Sequence, residues 1–348
     1  MEKVESKTKK KNNKAKKTSK KSKDDEKEEK TESEPEEITL TDLSGVGPAI
    51  AEKLAESGFN SIEAIAVASP NQMAAETAIG EATCSKIIQS AREKMNIGFE
   101  SAADVLEKRK NRSVFTTGST QLDGLLNGGC ETRAIIEVYG EFRTGKTQIA
   151  HQICVTVQLP QDKGGLNAAA IYIDAEGTFR PERLLQIAEK YPELNPEEVL
   201  DNVMYARAYN SDHQTIIIDK LPSMVREKNI KIVIVDSLIS HFRAEYVGRG
   251  TLSERQQKLN RFMHKLLQLA EAHDLCVFIT NQVMAAPGLF FGDPTTPVGG
   301  HVVAHASTYR MYLRKSKSNK RVARLVDSPC LPEGECVFVI DEHGISDP

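Results

Sequence analysis

The apolar positions of this chain fall into distinct regimes. Residues 1–37 show no hydrophobic periodicity and consist almost entirely of Lys, Glu, Ser, Thr and Asn. Such a stretch cannot bury enough surface to offset the entropy of ordering, so a disordered charged tail is expected. Residues 38–96 carry the spacing of short amphipathic helices, and residues 97–112 are a mixed-charge linker. From residue 113 to 348 short apolar runs alternate with helical patterns. The runs at 134–139, 168–174, 203–206, 230–236 and 275–281 read as strands, and 181–190, 214–227 and 254–273 as helices. Three later strands are expected at 307–315, 321–327 and 336–340. Alternation of this kind predicts an α/β domain with a mainly parallel sheet covered by helices on both faces.

Composition adds limits. With 348 residues, 39% hydrophobic and 27% charged, the chain has ample material for a sizeable core. The net charge of −3 means that any contact with nucleic acid must come from local patches. No apolar run approaches the ~20 residues of a membrane helix, and the lysine-rich start lacks the apolar core of a signal peptide. Cys84, Cys130, Cys154, Cys276, Cys330 and Cys336 form no C-x-x-C pair and no zinc spacing, and most sit in apolar surroundings. They read as reduced residues of an intracellular protein.

One run has a consequence beyond packing. The strand at 134–139 is followed at once by Gly140-Glu141-Phe142-Arg143-Thr144-Gly145-Lys146-Thr147-Gln148, and then by a helix with Ile149, Ala150, Ile153, Cys154 and Val157 on one face. Strand, glycine loop and helix are the context of a phosphate-binding loop. Inward-turned backbone N–H groups and the helix N-terminus favour phosphate oxygens. Lys146 then reaches the β- and γ-phosphates of ATP, and the Thr147 hydroxyl serves as a ligand for Mg2+.

In parallel sheets ligands sit beyond the carboxyl ends of the strands, so the residues after each run are candidates. Asp236 ends one run and suits Mg2+, directly or through water. Glu176 follows another and is the candidate for polarising the water that attacks the γ-phosphorus; capping the helix near Pro181 is its alternative. Asn281 and Gln282 close a third, and both are uncharged groups suited to sensing the γ-phosphate by a hydrogen bond.

Two loops follow these strands. Phe242 to Gly250 offers Arg243, Tyr246 and Arg249 on a flexible backbone, and Met284 to Gly300, with Phe290 and Phe291, has no secondary-structure period. Long loops inside a domain are usually functional. Arginines with exposed aromatics suit single-stranded DNA, or alternatively a protein interface. In the helical region Leu43-Ser-Gly45-Val46-Gly47-Pro48 before Ile50 and Leu54 resembles a helix-hairpin-helix module, in which turn N–H groups meet DNA phosphates. Such hairpins also serve as packing units. The basic block of the tail through Lys23 is a non-specific nucleic-acid arm or merely a solvated segment.

Taken together, Gly140–Gln148, Tyr172-Ile-Asp-Ala-Glu-Gly-Thr-Phe-Arg-Pro-Glu-Arg183, Gly248-Arg-Gly-Thr-Leu-Ser-Glu-Arg-Gln256, Thr280-Asn-Gln-Val283 and Asp327-Ser-Pro-Cys-Leu-Pro332 resemble the archaeal RadA strand-exchange recombinases of the RecA superfamily. The resemblance runs from about Thr39 to the C terminus. It implies a RecA-like P-loop ATPase core behind a small all-α helix-hairpin-helix domain, forming helical filaments on single-stranded DNA and pairing it with homologous double-stranded DNA. Phe99-Glu-Ser-Ala102 resembles the F-x-x-A polymerisation motif that inserts into the neighbouring core. The segment from Asp327 to Pro332 resembles the cap over ATP on the adjacent subunit, with Pro332 and Arg183 near the adenine. His305 takes the position of a residue sensing γ-phosphate across that interface, with His301 nearby. The resemblance also implies mediator proteins as partners and a cytoplasmic, chromosome-associated location. A regulatory paralogue and a ring helicase of the same superfamily are the rival readings.

Overall fold

A computed structural model of the chain describes residues 39–59, 61–95, 100–285 and 295–348. The charged tail, Phe99, Phe290 and Phe291 lie outside the described residues.

Helices α1 (Pro48–Glu56), α2 (Ile62–Val67), α3 (Pro70–Thr77) and α4 (Glu81–Lys94) form the N-terminal part. They close around a core of their own that includes Leu43, Val46, Leu54, Ile65, Met73, Ile87 and Ile88. Pro48 at the first turn of α1, behind Gly47 as N-cap, starts the helix where a missing N–H costs nothing.

The linker region is more ordered than its charge mixture suggests. Residues Ala102–Lys110 form helix α5. Its start is a capping box: the Ser101 hydroxyl accepts the Asp104 N–H at 3.2 Å, and the Asp104 carboxylate accepts the Ser101 N–H at 3.3 Å. This Ser-x-x-Asp signal satisfies two orphan donors of a short helix that mixed charge alone does not predict.

The large part begins with the short pair β1 (Val114–Phe115) and β2 (Cys130–Glu131), bracketing α6 (Thr120–Leu125). There follow β3 (Ala134–Gly140), α7 (Lys146–Thr156), β4 (Ala169–Asp174), α8 (Pro181–Ala188), α9 (Pro196–Asp201) and β5 (Val203–Arg207). Next come α10 (Ser211–Glu227), β6 (Ile230–Asp236), α11 (Ser240–Glu245), α12 (Leu252–Ala272) and β7 (Cys276–Asn281). The chain ends with β8 (Val283–Ala285), β9 (Thr295–Pro297), α13 (His301–Ala306), β10 (Tyr309–Lys315), β11 (Lys320–Asp327), β12 (Gly334–Asp341) and β13 (Gly344–Ser346).

The nine-stranded sheet has the order β13-β12-β11-β10-β3-β7-β6-β4-β5. From β10 to β5 every neighbour is parallel, and the β10–β13 end is antiparallel. Alternate side chains serve two separate cores. Ile136, Val138, Tyr172, Ile234 and Phe278 pack with α7 and α8 on one face. Ile135, Ile171, Val233, Val277 and Ile279 pack with α10 and α12 on the other. Burial of both faces explains why these strands read as continuous apolar runs.

Three further expectations need correction. Helix α7 is buried all round from Ile149 to Thr156, and not on one face alone, because it lies between the sheet, α8 and β13. The Phe242–Gly250 stretch is not irregular: α11 carries Phe242 into the core, and a 3-10 turn covers Arg249–Thr251. The segment after Gln282 is paired at its base, where β8 and β9 form an antiparallel ladder.

Candidate nucleotide and nucleic-acid site

The register of the sheet brings the strand ends together: Asp174 lies opposite Asp236, and Tyr139 opposite Asn281. Beyond these ends opens a cleft of ≈ 980 Å³ lined by Gly140–Gln148, Glu176, Thr178, Arg183, Asp236, Ser237, Thr280, Gln282, Arg321 and Asp341.

The glycine loop wraps its own carbonyls. Lys146 Nζ donates to the carbonyl oxygens of Gly140 and Glu141, both at 2.9 Å, and the buried Thr144 hydroxyl donates to Glu141 O at 2.9 Å. Gly140 is required by space and Gly145 by its backbone conformation. A Cβ on Gly140 would stand 2.3 Å from Leu313 O, and one on Gly145, at φ +108°, would stand 2.7 Å from Ile340 Cδ1. Arg143 also takes a positive φ of 63°, while Phe142 projects into solvent at 82% exposure. Helix α7 starts at Lys146, so its unpaired N–H groups face the loop's concavity. Burial pushes the Lys146 ammonium below its ordinary pKa, and the Asp236 and Glu176 carboxylates pull it back. A cation short of solvent at a helix start is matched by an anion.

Glu176 is carried on a loop folded around Asp174. The fully buried Asp174 carboxylate accepts N–H bonds from Glu176 (3.0 Å), Gly177 (2.6 Å), Thr178 (3.3 Å) and Phe179 (3.1 Å), and pairs with Arg207 at 3.3 Å. The Glu176 carboxylate accepts from Gln282 Nε2 at 2.8 Å. The N-cap of α8 is Arg180, so the capping alternative for Glu176 falls away. Gln282 reaches further: its Oε1 accepts from Arg243 NH1 at 3.3 Å.

His151 went unnoticed in the sequence. Stacked on Phe179 with ring centroids 5.2 Å apart, it has Nδ1 2.7 Å from Thr147 O, and Nε2 3.1 Å from the Arg180 N–H. An N–H can only donate, so Nε2 accepts and Nδ1 carries the proton. Burial pushes its pKa down, against the Thr147 contact, which keeps that neutral form. The signal available was its place one helical turn beyond Thr147.

Asp236 is buried at the floor of the cleft, where Tyr172 donates to one oxygen at 2.6 Å and the Thr280 hydroxyl to the other. Each oxygen keeps one lone pair, an arrangement suited to a hydrated divalent cation. Among the described residues no cluster of His, Cys, Asp or Glu could itself hold a metal. Thr178 Oγ1, Ser237 Oγ and Arg321 Nε are buried without a partner, and all three residues line this same cleft. Orphaned polar atoms converging on one cleft are what a polar, polyoxygenated ligand would satisfy.

Arg183 borders the far side, donating to Gln148 Oε1 at 2.8 Å, to Glu342 O at 2.6 Å and to Asp341 O at 2.8 Å. His305, Asp327 and Pro332 are exposed and do not line this cleft. His301 and His305 stack one turn apart on α13, with centroids 5.7 Å apart.

Of the residues expected to meet DNA, Gly45 and Gly47 form the open turn before α1, where nothing lies within 4 Å of a hypothetical Cβ. Arg243 is exposed on α11. Tyr246 packs partly against the core, with Lys258 Nζ 5.2 Å from its ring centre. The backbone of Arg249 lies in the 3-10 turn. Ala102 is exposed at the start of α5.

Comparison with known proteins agrees with this geometry. Residues 37–93 match the SAM-like helix-hairpin-helix tandem family, and residues 108–348 match the Rad51 family. The DNA repair and recombination protein RadA of Aeropyrum pernix is 54% identical over 317 residues, covering 91% of this chain and 99% of that protein. The RecA-like core and the helical hairpin domain expected from the motifs are thus both present, and the chain belongs to the Rad51 family.

Proposed function

We propose that the chain is a DNA-dependent ATPase that assembles as a filament on single-stranded DNA and exchanges strands with a homologous duplex in DNA repair and recombination. The observation that carries this reading is the direct chain of contacts from the glycine-loop cleft to the first arginine-bearing segment: Glu176 to Gln282 at 2.8 Å, and Gln282 to Arg243 at 3.3 Å.

ATP is the nucleotide proposed for the cleft. Gly140–Gln148 cradles its phosphates, with Lys146 turning from the loop carbonyls to the phosphate oxygens. The Thr147 hydroxyl and, through water, Asp236 would hold Mg2+, which would supply positive charge to neutralise those oxygens. Glu176 takes the proton of the attacking water, and the bond from the γ-phosphorus to the bridging oxygen breaks to release ADP. Gln282 senses whether the γ-phosphate is there. Arg183 faces the base.

His305, Asp327 and Pro332, exposed and outside the lining of their own cleft, act on nucleotide held by the neighbouring copy. Phe99 and Ala102 join the copies, so ATP stabilises every joint by mass action. Arg243, Tyr246, Arg249, Phe290 and Phe291 meet single-stranded DNA, and Gly45 and Gly47 meet phosphates of the duplex. Contacts of this kind carry no sequence preference, so affinity falls steeply with salt. Mediator proteins and a cytoplasmic, chromosome-associated location complete the reading. Among the described residues no helix is long and apolar enough to cross a membrane.

Joint-molecule formation tests it. Purified protein with ATP, single-stranded DNA and homologous duplex is expected to yield joint molecules, and none without ATP. Hydrolysis and DNA binding with no joint molecules would refute strand exchange and leave a regulatory ATPase.

A further inference from the structure

Glu137 lies on β3 at the centre of the sheet, without exposure to solvent, and the nucleotide site described above makes no use of it. Its Oε2 accepts from Arg310 Nε on β10 at 2.6 Å, and its Oε1 accepts from Asn281 Nδ2 at the end of β7 at 2.7 Å. Parallel pairing puts Arg310 directly opposite Glu137, which explains the first contact. Arg310 also lies 5.5 Å over the ring of Tyr139.

A buried ion pair in an otherwise apolar strand is a poor stability device. Its desolvation penalty rivals its attraction, and apolar residues of similar volume often serve as well or better. The use of the pair shows at Asn281. This side chain is also fully buried, and each end of its amide is engaged. Nδ2 makes a second bond to Val298 O at 2.7 Å, and Oδ1 accepts the Gln282 N–H at 2.8 Å. The Val298 N–H in turn donates to Gln282 O at 2.9 Å. One amide therefore ties together both ends of the segment that leaves β7 and returns at α13.

Glu137 imposes on that amide the same sense that Val298 O and the Gln282 N–H require, and it is the one charged group among the three. A carboxylate only accepts, so the Asn281 nitrogen must face it. Reversed, the amide would set its oxygen against Val298 O and its N–H groups against the Gln282 N–H, and both loop ends would lose their partner. Gln282 is the residue whose side chain runs from Glu176 to Arg243.

We propose that Glu137, paired with Arg310, is a positioning residue: it locks the Asn281 amide in one sense and so couples the hydrolytic centre to the DNA-binding segments. The inference rests on the DNA-dependent ATPase reading above.

The test compares the wild type, Glu137→Gln and the double variant Glu137→Met with Arg310→Met. Thermal midpoint, affinity for a fluorescent ATP analogue, and hydrolysis with and without single-stranded DNA are measured on the full chain. Glu137→Gln leaves Arg310 unpaired and offers Asn281 an amide that tolerates either sense. It should keep nucleotide affinity, melt earlier, and lose DNA stimulation by about 5- to 150-fold, the usual size of a coupling between sites. The double variant removes both charges, so its midpoint should recover while DNA stimulation stays lost. Stimulation that returns along with stability would overturn the proposal, as would a parallel loss of nucleotide affinity. A wild type whose hydrolysis ignores DNA would instead refute the ATPase reading beneath it, a result visible before any variant is made.

Discussion

Replacing Lys146 with Ala is expected to all but abolish ATP hydrolysis, lowering turnover by about 10²- to 10³-fold. The expectation follows from where the ammonium sits. Half-buried at the start of α7, it donates hydrogen bonds to the carbonyls of Gly140 and Glu141 and makes no direct ion pair, so its removal breaks no salt bridge. The thermal midpoint should therefore change little while the steady-state rate collapses. Burial already pushes this ammonium down in pKa, against the pull of Asp236 and Glu176. Unchanged turnover in Lys146→Ala would remove the nucleotide assignment altogether.

Glu176→Gln should separate binding from chemistry. The glutamine keeps the size of the side chain and still offers an oxygen to Gln282 Nε2, 2.8 Å away in the wild type. The loop that carries it is held by the Asp174 carboxylate and by His151, neither of which the substitution touches. Only the capacity to take a proton is lost, a term worth about 10²- to 10⁴-fold in rate. Titration with a fluorescent ATP analogue should give a near-native affinity beside that slow hydrolysis. Equal loss of both would make Glu176 a structural residue.

Much of this site was legible in one dimension because parallel strands deliver their C-terminal residues to one edge. Gly140, Glu176, Asp236 and Gln282 stand at or just beyond the ends of apolar runs, and the sheet order places them around one cleft. The glycine loop announced itself because space and φ leave Gly140 and Gly145 little choice. What stayed hidden depended on distant pairing. Asp174 reads as the end of a strand, yet its carboxylate builds the Glu176 loop. His151 carries no motif of its own, and Arg321 is one of several cations in β11, yet Arg321 lines the cleft. Glu137 looks like a charge misplaced in an apolar strand until Arg310 and Asn281, far along the chain, are laid beside it. Helix α5 was missed for a different reason. Its capping box is a local signal, but mixed charge without an apolar stripe masks so short a helix.

The exposed positions of His305, Asp327 and Pro332 put the greatest weight on assembly, since these residues do not line the glycine-loop cleft of their own chain. Cryo-electron microscopy of the protein on single-stranded DNA with a non-hydrolysable ATP analogue tests this most directly. Shared nucleotide predicts density gripped by Lys146 and Thr147 of one copy and covered by His305, Asp327 and Pro332 of the next. Density enclosed by a single copy, with no second chain in reach, would contradict it.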